Sequence, residues 1–359
     1  MSDRKTPQQP GAGDDDRYSR QILFEPIGRA GRDKIAAARV VVVGCGALGT
    51  HAAEHLARAG VGSLRLVDRD VVEWSNLERQ IGFRETDARE QRPKAQALHD
   101  HLAGVNSAVT IDAQAVEFHY RNALDLTAGC DLIVDGTDNL PTRFLINDVS
   151  FRLGVPWIYA GVVQARGIVQ AFSGASGPCL RCTLPELPPP GTLETCDTAG
   201  VLGPAVGAVS GWQTTLALRI LVEGPADVAG RQIRLAPWDL DARIATVEAD
   251  PDCPVCVHRR FDYLAGTQSD RATILCGRRA VHVRPAPAGS SAGEAADSVD
   301  LRRLADRLAV LGPVEDREFF LRVQARDFTL TVFPDGRAIF DGLTDEARAR
   351  SLYARFVGD

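Results

Sequence analysis

The hydrophobic residues between positions 39 and 173 form short runs that alternate with longer amphipathic stretches. A short apolar run without polar alternation is typical of a strand that is buried on both faces of a sheet. Strands that alternate with helices indicate an open, doubly wound, Rossmann-like and mainly parallel α/β sheet with helices on both faces. The predicted strands are 39–43, 64–68, 109–113, 132–135, 156–161 and 168–173, and the predicted helices end at Ala59 or span 93–103, 120–127 and 140–153.

The segments on either side of this pattern extend the predicted α/β domain to residues 17–265. Residues 17–38 predict two short helices, 200–222 a helix rich in glycine and alanine, and 231–246 a hairpin. The stretch before them, 1–16, is polar and rich in proline, glycine and aspartate, which predicts a disordered tail.

Residues 266–359 predict a separate, small α/β module. Apolar residues recur at helical spacing in 301–308 and 349–356, and they alternate with threonine in 328–332. The segment 285–297 is rich in proline, glycine and alanine, which predicts a linker. The module has neither a glycine phosphate loop nor a group of metal ligands in its sequence. We therefore expect it to recognise partners or support a dimer, with simple packing as the alternative.

The composition is that of a soluble globular protein, with 45% hydrophobic and 25% charged residues. A net charge of -6 argues against nucleic acid or an anionic membrane as the main partner. No uninterrupted apolar run has the length of a membrane span, and the start has no apolar core of a secretory signal. We expect a cytoplasmic protein, in which thiols stay reduced, so the eight cysteines need an explanation other than disulfides.

The residues 44–49 follow the first predicted strand and fit the pattern G-x-G-x-x-G. Gly44, Gly46 and Gly49 let the backbone approach a phosphate, and the following helix stabilises its charge with its amino end. Asp68 ends the next strand, where an acidic residue bonds a ribose hydroxyl. This motif predicts a nucleotide site, and a nicotinamide cofactor is its commoner ligand.

Two cations and one carboxylate follow at positions that a triphosphate needs. Arg79 and Lys94 can reach phosphates and neutralise charge during transfer, although surface cations are the ordinary alternative. Asp138 follows the strand at 132–135, and ligands bind at the carboxyl ends of strands in an open sheet. Its carboxylate is placed to hold magnesium, and it can also cap the helix that begins near Pro141.

Two C-x-x-C pairs predict a structural zinc site with four sulfur ligands. Both pairs lie away from the nucleotide motifs, and a redox disulfide within either pair is the weaker alternative. The four residues are Cys179, Cys182, Cys253 and Cys256.

Cys196 lies just before the helix rich in glycine and alanine. A thiol near the amino end of a helix has a depressed pKa and can act as a nucleophile. A buried, unreactive cysteine is an equally good interpretation of the spacing.

In combination, these motifs resemble the ThiF/MoeB/HesA adenylyltransferases, which are relatives of the ubiquitin-activating enzymes. The resemblance covers roughly residues 17–258 and leaves the module outside. The matching segments are 17–22, 44–49, 66–68, 75–80, 93–95, 135–139, 195–203 and the two C-x-x-C pairs.

The resemblance implies an enzyme that uses ATP and magnesium to adenylate the C-terminal glycine of a ubiquitin-like sulfur carrier of the ThiS or MoaD type. It also implies a homodimer in which Arg20 reaches the active site of the other subunit, as an arginine finger does. Cys196 falls at the position of the family cysteine that can link to the carrier, and a sulfur donor protein would act downstream. The pathway of the carrier stays open.

The resemblance also assigns the nucleotide contacts. Asp68 would hold the ribose of ATP, Arg79 and Lys94 the phosphates, and Asp138 the magnesium, while Asn76 belongs to the same nucleotide-binding segment.

Two other classes of function fit part of the sequence. An NAD-dependent oxidoreductase needs an acid or base for hydride transfer, such as histidine or a tyrosine–lysine pair, which the motifs do not provide. A binding module without catalysis would have lost its phosphate-binding residues, whereas Arg79, Lys94 and Asp138 are present.

Overall fold

The computed structural model describes residues 16–189, 192, 194, 196–267, 272–274, 280–283, 299–317 and 319–358. The chain forms two compact units. The first comprises the chain up to Leu187 together with Val201–Leu264, and the second comprises Pro188–Gly200 together with Ala265–Asp359. The predicted tail, apart from Asp16, and the predicted linker at 285–297 lie outside the described residues.

Helices and strands alternate through most of the described chain. The helices are α1 Ser19–Leu23, α2 Gly28–Ala37, α3 Ala47–Ala59, α4 Glu85–Glu90, α5 Lys94–Val105, α6 Ala123–Leu126, α7 Leu140–Leu153, α8 Leu180–Thr183, α9 Cys196–Ala199, α10 Gly203–Glu223, α11 Leu301–Leu308 and α12 Glu346–Phe356. The strands are β1 Arg39–Val43, β2 Ser63–Val67, β3 Thr110–Gln114, β4 Leu132–Asp135, β5 Trp157–Val163, β6 Arg166–Phe172, β7 Arg231–Ala236, β8 Asp241–Thr246, β9 Ala272–Ile274, β10 Ala280–Val283, β11 Val314–Arg317, β12 Phe320–Gln324, β13 Thr329–Val332 and β14 Ala338–Asp341.

The first unit is built on an eight-stranded sheet with the order β3-β2-β1-β4-β5-β6-β7-β8. The first five strands in this order are parallel, and the strands from β6 onward are antiparallel to their neighbours. The predicted doubly wound, mainly parallel sheet is therefore confirmed. The chain order reverses at β1, whose neighbours are β2 and β4. In an open α/β sheet, ligands bind in the crevice beyond the carboxyl ends of the strands at such a point, here β1 and β4.

Both faces of this sheet are buried, as the uninterrupted apolar run of β1 predicts. Val40 and Val42 belong to the hydrophobic core that contains residues of α3, α5 and α10. Val41 and Val43 belong to a second core that contains residues of α7. Successive side chains of a strand point to opposite faces, so one strand contributes to both cores.

The helix α10 is the most apolar long helix of the first unit. Among the described helices, it alone has the length and mean hydropathy of a membrane span, although polar residues interrupt its sequence. More than half of its most apolar window is buried inside the protein, and the helix packs against α3, β5 and β6. Its apolar composition is that of a core helix of this unit.

The second unit contains a six-stranded antiparallel sheet with the order β11-β12-β13-β14-β10-β9. Its hydrophobic core contains alternate residues of β10, β12, β13 and β14 together with apolar residues of α11 and α12. The predicted strand at 328–332 and the predicted helices at 301–308 and 349–356 correspond to β13, α11 and α12.

Candidate active site and cysteine cluster

The crevice at the carboxyl ends of β1 and β4 is formed by two loops that touch through glycines. Gly44 follows β1 with a positive φ of 89°, which glycine adopts readily. A Cβ atom at Gly49 would lie 1.9 Å from the carbonyl oxygen of Gly44, and one at Gly136 would lie 2.3 Å from the same atom. Only glycine fits at these two positions, and the contact brings the loop after β4 against the loop after β1.

Gly46 has a different environment from its neighbours. It is the N-cap residue of α3, and the nearest atom that a Cβ would meet is the oxygen of Gly136 at 3.8 Å. The cap of this 13-residue helix therefore leaves room beside Gly46 for a ligand atom. A helix amino end of this kind stabilises an anion through its free N–H groups and its dipole.

Asp68 follows the end of β2 beside the glycine loop and is 9% exposed. Its Oδ2 atom accepts a hydrogen bond from the backbone N of Cys45 at 2.6 Å, and Oδ1 accepts one from the N of Asp70 at 2.7 Å. Burial raises the pKa of the carboxyl, and the charge of Lys94 opposes this shift. Because a carboxylate oxygen can accept more than one hydrogen bond, Asp68 can still bind a hydroxyl group.

Lys94 lies beside Asp68 and is 8% exposed. Its Nζ atom is 3.5 Å from Oδ2 of Asp70. Burial opposes its ionisation, but the charges of Asp70, Asp68 and Asp138 outweigh this and raise the pKa of the ammonium group. A buried lysine thus keeps its charge inside the crevice.

Asp138 is exposed at the end of the loop that follows β4. The N-cap of α7 is its neighbour Asn139, whose Oδ1 accepts the N–H of Thr142 at 2.9 Å. The alternative role of Asp138 as the helix cap is therefore wrong. Its carboxylate has no hydrogen-bond partner among the described residues and acts electrostatically on the nearby Lys94.

The other predicted residues of the site are placed differently. Asn76 is buried, and its Oδ1 accepts the N–H of Glu73 at 2.9 Å, so the side chain caps a short 3-10 helix. Arg79 donates to the carbonyl of Ser75 at 2.6 Å and to the carboxylate of Glu78 at 2.9 Å. Arg20 is exposed on α1. The structure thus brings together the glycine loop, Asp68, Lys94 and Asp138, while Arg79 points to Glu78.

Three residues of this region were not predicted individually as site residues. Gly136 makes the glycine contact described above, and its place after a strand and before an aspartate is the signal that marks it. Gln213 of α10 is fully buried, and its Nε2 atom donates to the carbonyl of Asp135 at 2.7 Å. Arg143 pairs with the carboxylate of Asp135 at 2.9 Å. No local pattern marks Gln213 or Arg143.

The four cysteines of the two C-x-x-C pairs form one cluster, in which all sulfur atoms lie within 4.8 Å of one another. The Sγ atoms of Cys179 and Cys253 are 3.4 Å apart, and those of Cys182 and Cys256 are 3.5 Å apart. Zn–S bonds of about 2.3 Å in a tetrahedron place the sulfurs roughly 3.8 Å apart, so the cluster fits a zinc ion. The predicted convergence of the two pairs is confirmed.

The surroundings of Cys182 favour a thiolate. Its sulfur accepts the backbone N–H groups of Cys179 at 3.5 Å and Asp250 at 3.4 Å. The hydrogen bond with the Cys179 side chain is the main cause that lowers the pKa of the Cys182 thiol to about 5. Thiolates are the form in which cysteine binds zinc.

Residues 18–255 match the model of the ThiF family. The chain belongs to the ThiF family. Two relatives match this chain over most of their own length. The sulfur carrier protein ThiS adenylyltransferase of Bacillus subtilis (strain 168) is 38% identical over 346 residues, which cover 95% of this chain and 99% of that protein. The SAMP-activating enzyme E1 of Haloferax volcanii is 38% identical over 241 residues, which cover 67% of this chain and 88% of that protein.

The first of these relatives extends the ThiF similarity into the second unit, since its match covers nearly the whole chain. The sulfur carrier protein adenylyltransferase of Thermus thermophilus is 37% identical over 246 residues, covering 67% of this chain and 90% of that protein. These relatives confirm the predicted enzyme class, an adenylyltransferase. A crystal structure of E. coli MccB with ATP covers 69% of this chain and 76% of that protein at 22% identity, with a TM-score of 0.57, and it has the same fold.

Cys196, the predicted nucleophile in the ThiF pattern, is the first residue of the short helix α9. Its side chain lies outside the described part of the structure. The segment that carries it, Pro188–Gly200, belongs to the second compact unit, and the chain returns to the first unit at Val201. There the N–H of Leu202 donates to the carbonyl of Gln164 at 2.8 Å.

Proposed function

We propose that this chain uses ATP to adenylate the C-terminal glycine carboxylate of a ubiquitin-like sulfur-carrier protein of the ThiS or MoaD type, with release of pyrophosphate. Three relatives at 37–38% identity support the proposal, because their names describe adenylyltransferases of sulfur carrier proteins or a SAMP-activating enzyme. The activated carrier would then accept sulfur from a donor protein.

The observation that carries the proposal is the composition of the crevice. It combines the open amino end of α3, the buried cation Lys94 and the exposed carboxylate of Asp138. A helix end and a fixed ammonium group attract phosphates, and a free carboxylate beside them attracts the metal ion that accompanies ATP. A hydride-transfer enzyme would not need a carboxylate such as that of Asp138 to bind a metal ion.

In this reaction, the protein has to position the reactants and neutralise charge. The terminal carboxylate of the carrier is already ionised, so it needs no general base to attack the α-phosphate. A P–O bond forms at the α-phosphorus, the bond to the β-phosphate breaks, and pyrophosphate leaves with the electron pair. The product is an acyl-adenylate, whose AMP group a sulfur nucleophile can displace. Fixed cations that neutralise charge on the phosphates supply the main stabilisation.

We assign the nucleotide contacts to the residues that the sequence predicts. Asp68 would bind the ribose, Lys94 the phosphates, and Asp138 would hold magnesium, which neutralises charge on the phosphates when it is bound. Arg79 would have to leave Glu78 to reach a phosphate, and its guanidinium is already oriented by the carbonyl of Ser75. Asn76 would act by holding the segment that carries Arg79.

The cysteine cluster would hold a structural zinc ion. Cys179 precedes α8 after the end of β6, whereas Cys253 lies beyond the hairpin of β7 and β8. A metal ion bound by all four sulfurs would therefore tie two distant parts of the chain together.

The remaining parts of the proposal concern assembly. Arg20 lies exposed on α1, which leaves it available to a second copy of the chain in a homodimer. Cys196 would form a covalent link with the carrier, and the second unit would recognise the carrier or the sulfur donor. A cytoplasmic location also stays a prediction.

The test is carrier-dependent exchange of radiolabelled pyrophosphate into ATP by the purified protein. Each ThiS- or MoaD-like protein of the source organism would be supplied in turn, with a form that lacks the terminal glycines as the matched control. Exchange that requires the intact terminus supports adenylation. Binding of NAD without exchange would favour the oxidoreductase, and carrier binding without exchange would favour a module that has lost catalysis.

A further inference from the structure

Arg143 is a buried cation of the first unit to which the proposed reaction gives no role so far. It lies in the first turns of α7 and is 8% exposed. Its Nε atom donates to Oδ2 of Asp135 at 2.9 Å, and its Nη2 atom donates to the carbonyl of Thr137 at 2.6 Å and to that of Ala160 at 3.0 Å. The guanidinium also lies over the ring of Tyr159, 4.9 Å from its centre. One side chain thus connects β4, the loop after it and β5.

The loop that Arg143 contacts is the one that carries Asp138. The second carboxylate oxygen of Asp135, Oδ1, accepts the N–H of Thr137 at 2.9 Å and its hydroxyl at 2.7 Å. The carbonyl that accepts from Arg143 belongs to the peptide group between Thr137 and Asp138. The guanidinium therefore holds the peptide plane from which the backbone of Asp138 continues.

Stability alone does not explain this arrangement. A buried ion pair costs much of its attraction in lost hydration, and apolar residues of similar size stabilise a core as well or better. What the guanidinium adds is direction, because its donors form a rigid planar fork. Here the fork meets one carboxylate and two carbonyls that belong to three segments of the chain.

Arg143 stays positively charged in this position. Burial opposes ionisation, but the carboxylate of Asp135 outweighs it and raises the pKa of the guanidinium. The loop on the other side is fixed by Gly136, where no Cβ fits against Gly44. Two independent contacts therefore determine the course of the chain just before Asp138.

We propose that Arg143 is the positioning residue of the active site, which sets the place of the Asp138 carboxylate by holding the peptide group between Thr137 and Asp138. The inference rests on the proposed adenylation, in which Asp138 holds the magnesium ion of ATP. Arg143 acts through the loop and does not touch the substrate.

The experiment compares Arg143→Lys with the wild type in carrier-dependent ATP–pyrophosphate exchange at varied magnesium concentration. Lysine keeps the charge but loses the planar fork. A displacement of about 1 Å at a reacting centre lowers turnover by about 10²-fold, so we expect kcat to fall on this order. The magnesium concentration for half-maximal activity should rise, while the KM for the carrier should stay unchanged. Arg152→Lys, on the exposed side of the same helix, is the matched control and should behave as the wild type.

A double-mutant cycle with Asp138→Asn separates this role from a general effect on the fold. If Arg143 acts through Asp138, Arg143→Lys should add no further loss in the Asp138→Asn background. Losses that multiply would show that Arg143 acts independently of Asp138 and would overturn the inference. A wild-type magnesium profile for Arg143→Lys would do the same.

A second variant covers the case in which Arg143→Lys does not fold. The double variant Arg143→Gln with Asp135→Asn replaces the buried ion pair with two neutral amides, so no unpaired charge stays buried, and it removes the fork that holds the Thr137 carbonyl; it should raise the magnesium requirement in the same direction. An unchanged profile for this double variant would then refute the inference. Absence of exchange in the wild type overturns the proposed function and this inference with it, whereas an active wild type matched by both variants overturns this inference alone.

Discussion

Replacement of Cys182 by serine tests the zinc site most directly. Cys179 and Cys253, like Cys182 and Cys256, are separated by 74 positions in the sequence, so the metal would close a long loop. The chain-entropy relation for a cross-link that closes a loop of this size gives about 4 kcal/mol of stabilisation. For a domain of about 250 residues, a loss of that size lowers the melting temperature by roughly 10 °C.

The assay combines metal analysis with thermal unfolding of the purified protein. The wild type should contain about one zinc per chain, because a structural site takes four thiolates. Cys182→Ser should lower the zinc content and the melting temperature together, and treatment of the wild type with a strong chelator should have the same effect.

The matched control is Cys130→Ser, which changes another buried cysteine outside the cluster. It should leave the zinc content unchanged. A Cys182→Ser protein that keeps one zinc per chain would refute the four-cysteine zinc site. A metal-free wild type that melts at the same temperature as the zinc-loaded form would refute it as well.

Three further predictions concern the active site, the dimer and the response to pH. Asp138→Ala should abolish carrier-dependent exchange in a folded protein, as circular dichroism can verify, and near-normal exchange would contradict its role. Arg20→Ala should be inactive alone, but verified heterodimers with Asp138→Ala should regain activity because one of the two sites has both residues. Burial raises the pKa of Asp148 to about 7. An aspartate in the unfolded chain has a pKa near 3.9, so the free energy of unfolding should fall by up to about 4 kcal/mol as pH rises between about 4 and 7. Asp148→Asn should flatten this dependence in urea titrations, and an unchanged slope would exclude Asp148 as its cause.

The last prediction concerns the second unit. Deletion of residues 267–359 should leave ATP binding in place and weaken carrier binding or sulfur transfer, measured by calorimetry and by thiocarboxylate formation. A stable truncated protein with full affinity and turnover would contradict the role in recognition, and aggregation would favour a role in packing.

The helices and strands could be predicted wherever residues next to them in the sequence determine where they begin and end. The helix predicted at 140–153 agrees with α7, because Asn139 caps its start and Gly154 ends it with a left-handed φ of 74°. The helix predicted at 120–127 is shorter in the structure, since the side chain of Asn122 bonds the backbone of His119 and Glu117 instead. Such competition between side chain and backbone is difficult to foresee from periodicity.

In the candidate site, too, the local features could be predicted and the long-range contacts could not. Gly44, Gly49 and Asp68 could be predicted because a single βαβ unit of consecutive residues brings them together. Gln213 could not, since its contact with Asp135 joins residues that are 78 positions apart. The ion pair of Arg79 with Glu78 was also not foreseen, although the two residues are adjacent. The catalytic roles and the boundary at residue 265 stay predictions.

The division of the second unit into two stretches of sequence has a consequence for how this protein can be made and taken apart. Pro188–Gly200 leaves the ribosome before Val201–Leu264, whereas the rest of its unit, Ala265–Asp359, follows afterwards. During synthesis, the segment with Cys196 must therefore wait until the first unit is complete before its own unit can form. For the same reason, residues 266–359 transplanted onto another protein would lack a part of their own structure. A graft would have to carry the Cys196 segment as well.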